Sequence, residues 1–186
     1  MKNFEEFLNK HGPAIDCQAA DVKVIAAHQK QLPPELIELW RTSGFCGYAK
    51  GFLWVVNPVQ LRDVMEEWFP GDKSVRIPIV RTAFGDVIFW DQKGAHVLRV
   101  QRGHVHDIGN DVSVLFWYWL CDDGVLKKVL DHGRFAKALK KYGPIHADEC
   151  YAFKLALALG GHDNVNNMAK VKLREQLSIL AQLVER

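Results

Sequence analysis

Three charged residues in one short stretch open the question of chemistry. RTAFGDVIFWDQKG, residues 81–94, sets Arg81, Asp86 and Asp91 among aromatic and β-branched residues. Paired carboxylates can share acid–base work only when they lie close together. Here Asp86 and Asp91 stand at opposite ends of one short strand, roughly 17 Å apart at ordinary strand rise. Gly85-Asp86 and Asp91-Gln92-Lys93-Gly94 also have the composition of turns. The two acids read as hairpin punctuation, not as a catalytic pair.

The second candidate is HVHD, 104–107. On a strand His104 and His106 share a face, and with Asp107 they could begin a metal site. No second histidine or carboxylate cluster completes the sphere, so a half-exposed strand end is the stronger reading, with no metal and no cofactor. A metal-dependent enzyme using His104, His106 and Asp107 is the alternative. GGHDNVNN, 160–167, lacks the lysine and hydroxyl of a phosphate loop. No G-x-S-x-G or H-E-x-x-H occurs, so the serine-hydrolase and zinc-peptidase templates fail and no catalytic residue is assigned.

The third candidate is a surface. In DVMEEWFPG, Asp63, Glu66 and Glu67 fall at helical spacings, and Trp68 and Phe69 stand at the helix end. A solvated acidic face beside core aromatics is the ordinary account. Carboxylates flanking aromatics are also what an anchor for a basic protein partner looks like. The lysines from 127 to 141 form a basic counterpart that could meet nucleic acid. Most of them lie near helix ends, where cations complement the helix dipole.

These residues need elements to position them. Phe4, Phe7 and Leu8 repeat at helical spacing before Gly12-Pro13. LPPELIELWRTSG gives a helix over 34–43, and NPVQLRDVMEEWFPG a second over 58–69, capped by Asn57-Pro58 and closed by Pro70-Gly71. FLWVV, 52–56, reads as a buried strand. The period then changes to two: RIPIVRTA, DVIFWD and AHVLRVQ predict a three-stranded antiparallel meander over about 76–101. Residues 111–142 return to helix, YAFKLALAL alternates like a strand, and MAKVKLREQLSILAQLVER predicts a closing amphipathic helix. The fold class is therefore α+β: an antiparallel β-meander flanked by helices, followed by a mostly helical C-terminal part. IGND near 108–112 divides an α+β domain, 1–108, from a second, 109–186, packed against it.

Bulk composition narrows function further. In 186 residues the ten Phe and six Trp supply apolar surface for a real core. A formal net charge of +2 is far from the strongly basic balance of a nucleic-acid binder and too high for an acidic DNA mimic. The longest apolar run, VLFWYWL at 114–120, is too short for a membrane span. MKNFEEFLNKHG lacks the apolar centre of a signal peptide, so a cytoplasmic location is expected. Cys17, Cys46, Cys121 and Cys150 are scattered without a C-x-x-C pair and read as reduced core thiols.

LPPELIELWRTSGFCGYAKGFLWVVNP followed by RTAFGDVIFWD resembles the GAD-like domain. GPIHADECYAFKLALALGG, with the closing SILAQL, resembles the C-terminal domain that accompanies it in type VI secretion immunity proteins. The first half is also similar to the SUKH immunity superfamily, in its LP-x-x-L helix and G-D strand. The resemblance implies a bacterial immunity protein that neutralises a cognate toxin, a DNase of the HxxD type, by blocking its site or distorting its fold. The partner is then a protein, with no direct nucleic-acid contact. Near-neutral charge departs from the acidic balance common in nuclease inhibitors and points to aromatic-anchored binding.

Overall fold

The period-two run folds as read, at the centre of a larger sheet. The computed structural model describes residues 2–72 and 74–183. β1 (Ile15–Gln18), β2 (Phe45–Tyr48), β3 (Leu53–Val55), β4 (Ile77–Thr82), β5 (Val87–Asp91), β6 (Gly94–Arg99) and β7 (His104–Gly109) form one seven-stranded sheet. Every neighbouring pair is antiparallel and strand order equals chain order, so the sheet is a continuous meander. β4 and β5 are buried on both faces except at Asp91, which explains their near-continuous apolar sequence. The β5–β6 turn needs its glycine: Gly94 has φ +127°, and a Cβ there would lie 2.4 Å from the Gly109 carbonyl oxygen.

Helices cover the sheet. α1 (Lys2–His11) sets Phe4 and Phe7 edge-on to Tyr48 and Phe116. α2 (Val22–His28) is capped by the Asp21 side chain, which accepts from the Lys23 N–H. α3 (Pro34–Ser43) buries Leu36, Ile37, Leu39 and Trp40, a stripe at i, i+3 and i+4, and ends at Gly44 with φ +73°. Asn57 caps a 3₁₀ turn over Pro58–Leu61 that leads into α4 (Arg62–Trp68).

After the sheet come a π-helical turn over Val114–Trp119, α5 (Asp123–Lys128) and α6 (His132–Tyr142). β8 (Glu149–Phe153) then pairs antiparallel with β9 (Met168–Lys172), and α7 (Leu173–Leu183) follows directly. The strand expected in YAFKLALAL is thus present only over 151–153, whereas Leu157–Leu159 is a 3₁₀ turn. The closing helix expected from Met168 begins five residues late. Met168–Lys172 is strand because β8 offers it a complete ladder, which overrides the helix propensity of Met, Ala and Lys. The last three residues of the expected helix, 184–186, lie outside the described residues.

Both halves of the chain contribute to one hydrophobic cluster, from Phe4 to Ala181. The junction carries hydrogen bonds as well as apolar contacts. Tyr151 N–H donates to the Ala83 carbonyl at 2.8 Å, and the Trp68 indole donates to the Leu177 carbonyl at 3.1 Å.

One expectation about the cysteines is overturned. Cys17 and Cys46 are joined in a disulfide between β1 and β2, while Cys121 and Cys150 are free. Spacing 29 residues apart gives no hint of this pairing; the β1–β2 register brings the two side chains together. No helix among the described residues is long and apolar enough to cross a membrane.

Candidate partner-binding surface

α4 is placed by what it buries. Val64, Met65 and Trp68 face the core, leaving Arg62, Asp63, Glu66 and Glu67 outward. Asp63 is committed to α7: both its oxygens accept from the Arg174 guanidinium, which also donates to the Gln60 carbonyl. That hydrogen bonding holds the Asp63 carboxyl below its ordinary pKa. Glu66 instead lines a cleft of about 470 Å³ between α2, α4 and the segment leading into β4. Phe69 is half-buried in the same cleft, edge-on to Phe89 at 5.5 Å, with the Arg76 guanidinium 4.0 Å over its face. Asp72 bonds Arg76 and is held well below the usual carboxylate range, first by that bond.

Trp68 departs from the expected exposed anchor. It is only 4% exposed, so it supports the surface from beneath by tying α4 to α7. The spacing of Trp68 placed it at the helix end without saying which side it faced. Among the six tryptophans, Trp117 is the exposed one, at 60%, beside Tyr118 on the π-helical turn. The i+5 hydrogen bond from Leu120 N–H to the Leu115 carbonyl creates that turn. The sequence shows only an apolar run there, because a π-turn rotates the side chains in a way that helical periodicity does not predict.

The other candidates resolve as follows. His104, His106 and Asp107 lie on β7, the edge strand, where residues 104–107 are all exposed and not half-exposed as expected. Among the described residues, no group of three His, Cys, Asp or Glu side chains converges as metal ligands could. Asp91 accepts from the Lys93 N–H in its turn and lies 3.0 Å from His96 Nε2. Asp107 lies 3.8 Å from the other ring nitrogen.

Asp86 is more than turn punctuation. Its carboxylate is buried, accepts from Val100 N–H at 3.0 Å and from Arg99 Nε at 2.9 Å, and is pushed up to about 6 by desolvation. Arg99 continues to Asp131, and Arg134 joins Asp163, which also binds Arg102. Arg81 is fully buried as well, stacked 4.6 Å over Trp54 and donating to the His146 and Ala147 carbonyls. Desolvation lowers its pKa to about 9, so the guanidinium remains charged at neutral pH. These residues stitch the sheet to the C-terminal elements. Sequence reasoning missed them because the partners that hold them lie 13 to 66 residues away.

The fold that presents these residues is a continuous antiparallel meander under helices. The chain belongs to the GAD-like domain family, whose model matches residues 2–103. Residues 115–184 match the C-terminal domain of the type VI secretion system immunity protein Tdi1. The two regions in this order are those of a type VI secretion immunity protein, a class that binds a partner toxin. No curated protein matches the chain. The fold is similar to the crystal structure of Atu4351 from Agrobacterium tumefaciens, with a TM-score of 0.76 at 20% identity, covering 96% of this chain and 88% of that one.

Proposed function

We propose that this protein neutralises a cognate nuclease toxin, a DNase delivered by type VI secretion, by binding it in the cytoplasm of the producing cell. The observation that carries the reading is the Tdi1 C-terminal match at 115–184 directly behind a GAD-like region. The protein does this without catalysis, cofactor or metal, and without contacting nucleic acid. The division at 108/109 belongs to the same proposal, with the two parts acting as one inhibitor.

The surface proposed to meet the toxin surrounds α4. Glu66 and Glu67 orient a basic partner, Phe69 and the cleft walls receive an apolar side chain, and Asp63 and Trp68 fix the helix on α7. With a net charge of only +2, long-range attraction contributes little, so desolvated apolar contacts carry the affinity.

The test is co-expression with the nuclease encoded beside the gene. Cells making both proteins should grow and keep their plasmid DNA intact, and the two should copurify. DNA degradation undiminished by a well-expressed, folded protein would overturn the reading.

A further inference from the structure

We propose that Cys17–Cys46 is a reversible thiol–disulfide site that locks and releases the β1 strap. The two sulfurs differ in access: Cys17 is exposed on β1, whereas Cys46 is 1% exposed on β2. A small dithiol can therefore reach one sulfur and not the other.

The strap it controls is weakly held by anything else. β1 is a four-residue edge strand whose side chains are mostly exposed. It pairs with β2 at Ile15↔Gly47 and Gln18↔Phe45, and the register shifts between them. Asp16, within the shift, takes φ +48°, a conformation unfavourable for a residue with a side chain. Its carboxylate meets His146 Nδ1 at 3.1 Å, but both side chains are largely exposed. Short, solvent-facing edge elements of this kind open locally at low cost. The disulfide is the covalent tie that prevents it.

The reduced state also has a place for the buried sulfur. Cys46 Sγ lies 3.0 Å from the Ser43 carbonyl oxygen, so a thiol formed there finds an acceptor without moving. The exchange is balanced. A thiolate of a dithiol reductant attacks Cys17 Sγ, the Cys17–Cys46 bond breaks, and Cys46 leaves as thiolate and takes a proton. The reductant's second thiol then attacks the mixed disulfide, freeing Cys17 and closing the reductant's own disulfide. Two electrons and two protons pass to the protein.

Release has a local consequence. Asp16, Cys17 and Gln18 form part of the wall of a cleft of about 710 Å³ that Lys172, Leu173 and Arg174 also line. Opening the strap removes that part of the wall and frees the outer edge of β2. The proposal stands independently of where a toxin binds.

The experiment uses the full chain, purified without reductant and then exposed under native conditions to dithiothreitol. Thiol alkylation is mapped by mass spectrometry and amide exchange is followed by residue. The oxidised protein should leave Cys17 unmodified. After reduction, Cys17 should alkylate at least tenfold faster than Cys46. Exchange at Ile15–Gln18 should rise at least tenfold while β4, β5 and β6 stay protected. Cys17→Ser should show the same exchange pattern without reductant. Three outcomes overturn the proposal: a free Cys17 thiol in air-oxidised protein, a disulfide that resists native-state reduction, or loss of protection across β4–β6.

Discussion

At the scale of single residues, the charged trio at 81–91 separates into three physical roles. Asp91 is a turn residue with a histidine neighbour, Arg81 is a buried cation held by carbonyls, and Asp86 is a buried anion. Asp86 has a consequence for pH. Its folded value of about 6 lies above its ordinary 3.8, so its contribution to stability is full below 3.8 and lost as pH rises through 6. The stability of the natural protein minus that of Asp86→Asn should therefore grow by about 1 kcal/mol between pH 7 and pH 5, measured by urea unfolding. A difference that shrinks over that interval would contradict the burial argument. Trp68 gives a second residue-scale outcome. Trp68→Ala should destabilise by about 3–5 kcal/mol through the cavity it leaves. Trp68→Phe keeps most of the volume but loses the bond to the Leu177 carbonyl, and should cost about 1–2 kcal/mol. Thermal denaturation of both variants checks the order.

At the scale of elements, the parts legible in the sequence were those whose pattern is local. β4, β5 and β6 are short runs of β-branched, aromatic and apolar residues bounded by glycine turns, and α3 and α4 carry their own start and stop signals. β2, with its FCGY run, is only four residues long, and β1 is mostly exposed, so neither has an apolar pattern to read. β9 was hidden because MAKVK suits a helix, and its partner β8 lies across an intervening loop. The candidate surface was half legible. Spacing puts Asp63, Glu66 and Glu67 on the helix and Trp68 and Phe69 at its end, but only packing against α7 reveals that Trp68 turns inward and Asp63 is paired. The Asp63–Arg174 pair should matter little for stability, because both side chains are about half exposed. Asp63→Ala should cost less than about 1 kcal/mol by chemical denaturation. A larger loss would show that the pair, and not Trp68, fastens α4 to α7.

At the scale of the whole molecule, the two family regions share one apolar cluster and are joined by the ion pair from Arg99, which also holds the buried Asp86, to Asp131. Cooperative unfolding follows from such a seam. Calorimetry of the oxidised full chain should give a single transition, and two resolved transitions would show the regions to be independent. For the proposed inhibitor, a binding surface already formed before contact would lose less conformational freedom on meeting the target. The central claim is that the α4 surface binds the toxin, and a titration of the cognate toxin nuclease domain tests it most directly. Affinity is compared for the natural protein, Glu66→Ala plus Glu67→Ala, Phe69→Ala and Trp117→Ala, each first checked for an unchanged fold. The account predicts that the double variant and Phe69→Ala each lose on the order of 2 kcal/mol, about thirtyfold in Kd, while Trp117→Ala binds as before. Unchanged affinity in both α4 variants, with the loss falling on Trp117→Ala, would contradict it and move the interface to the exposed π-helical turn.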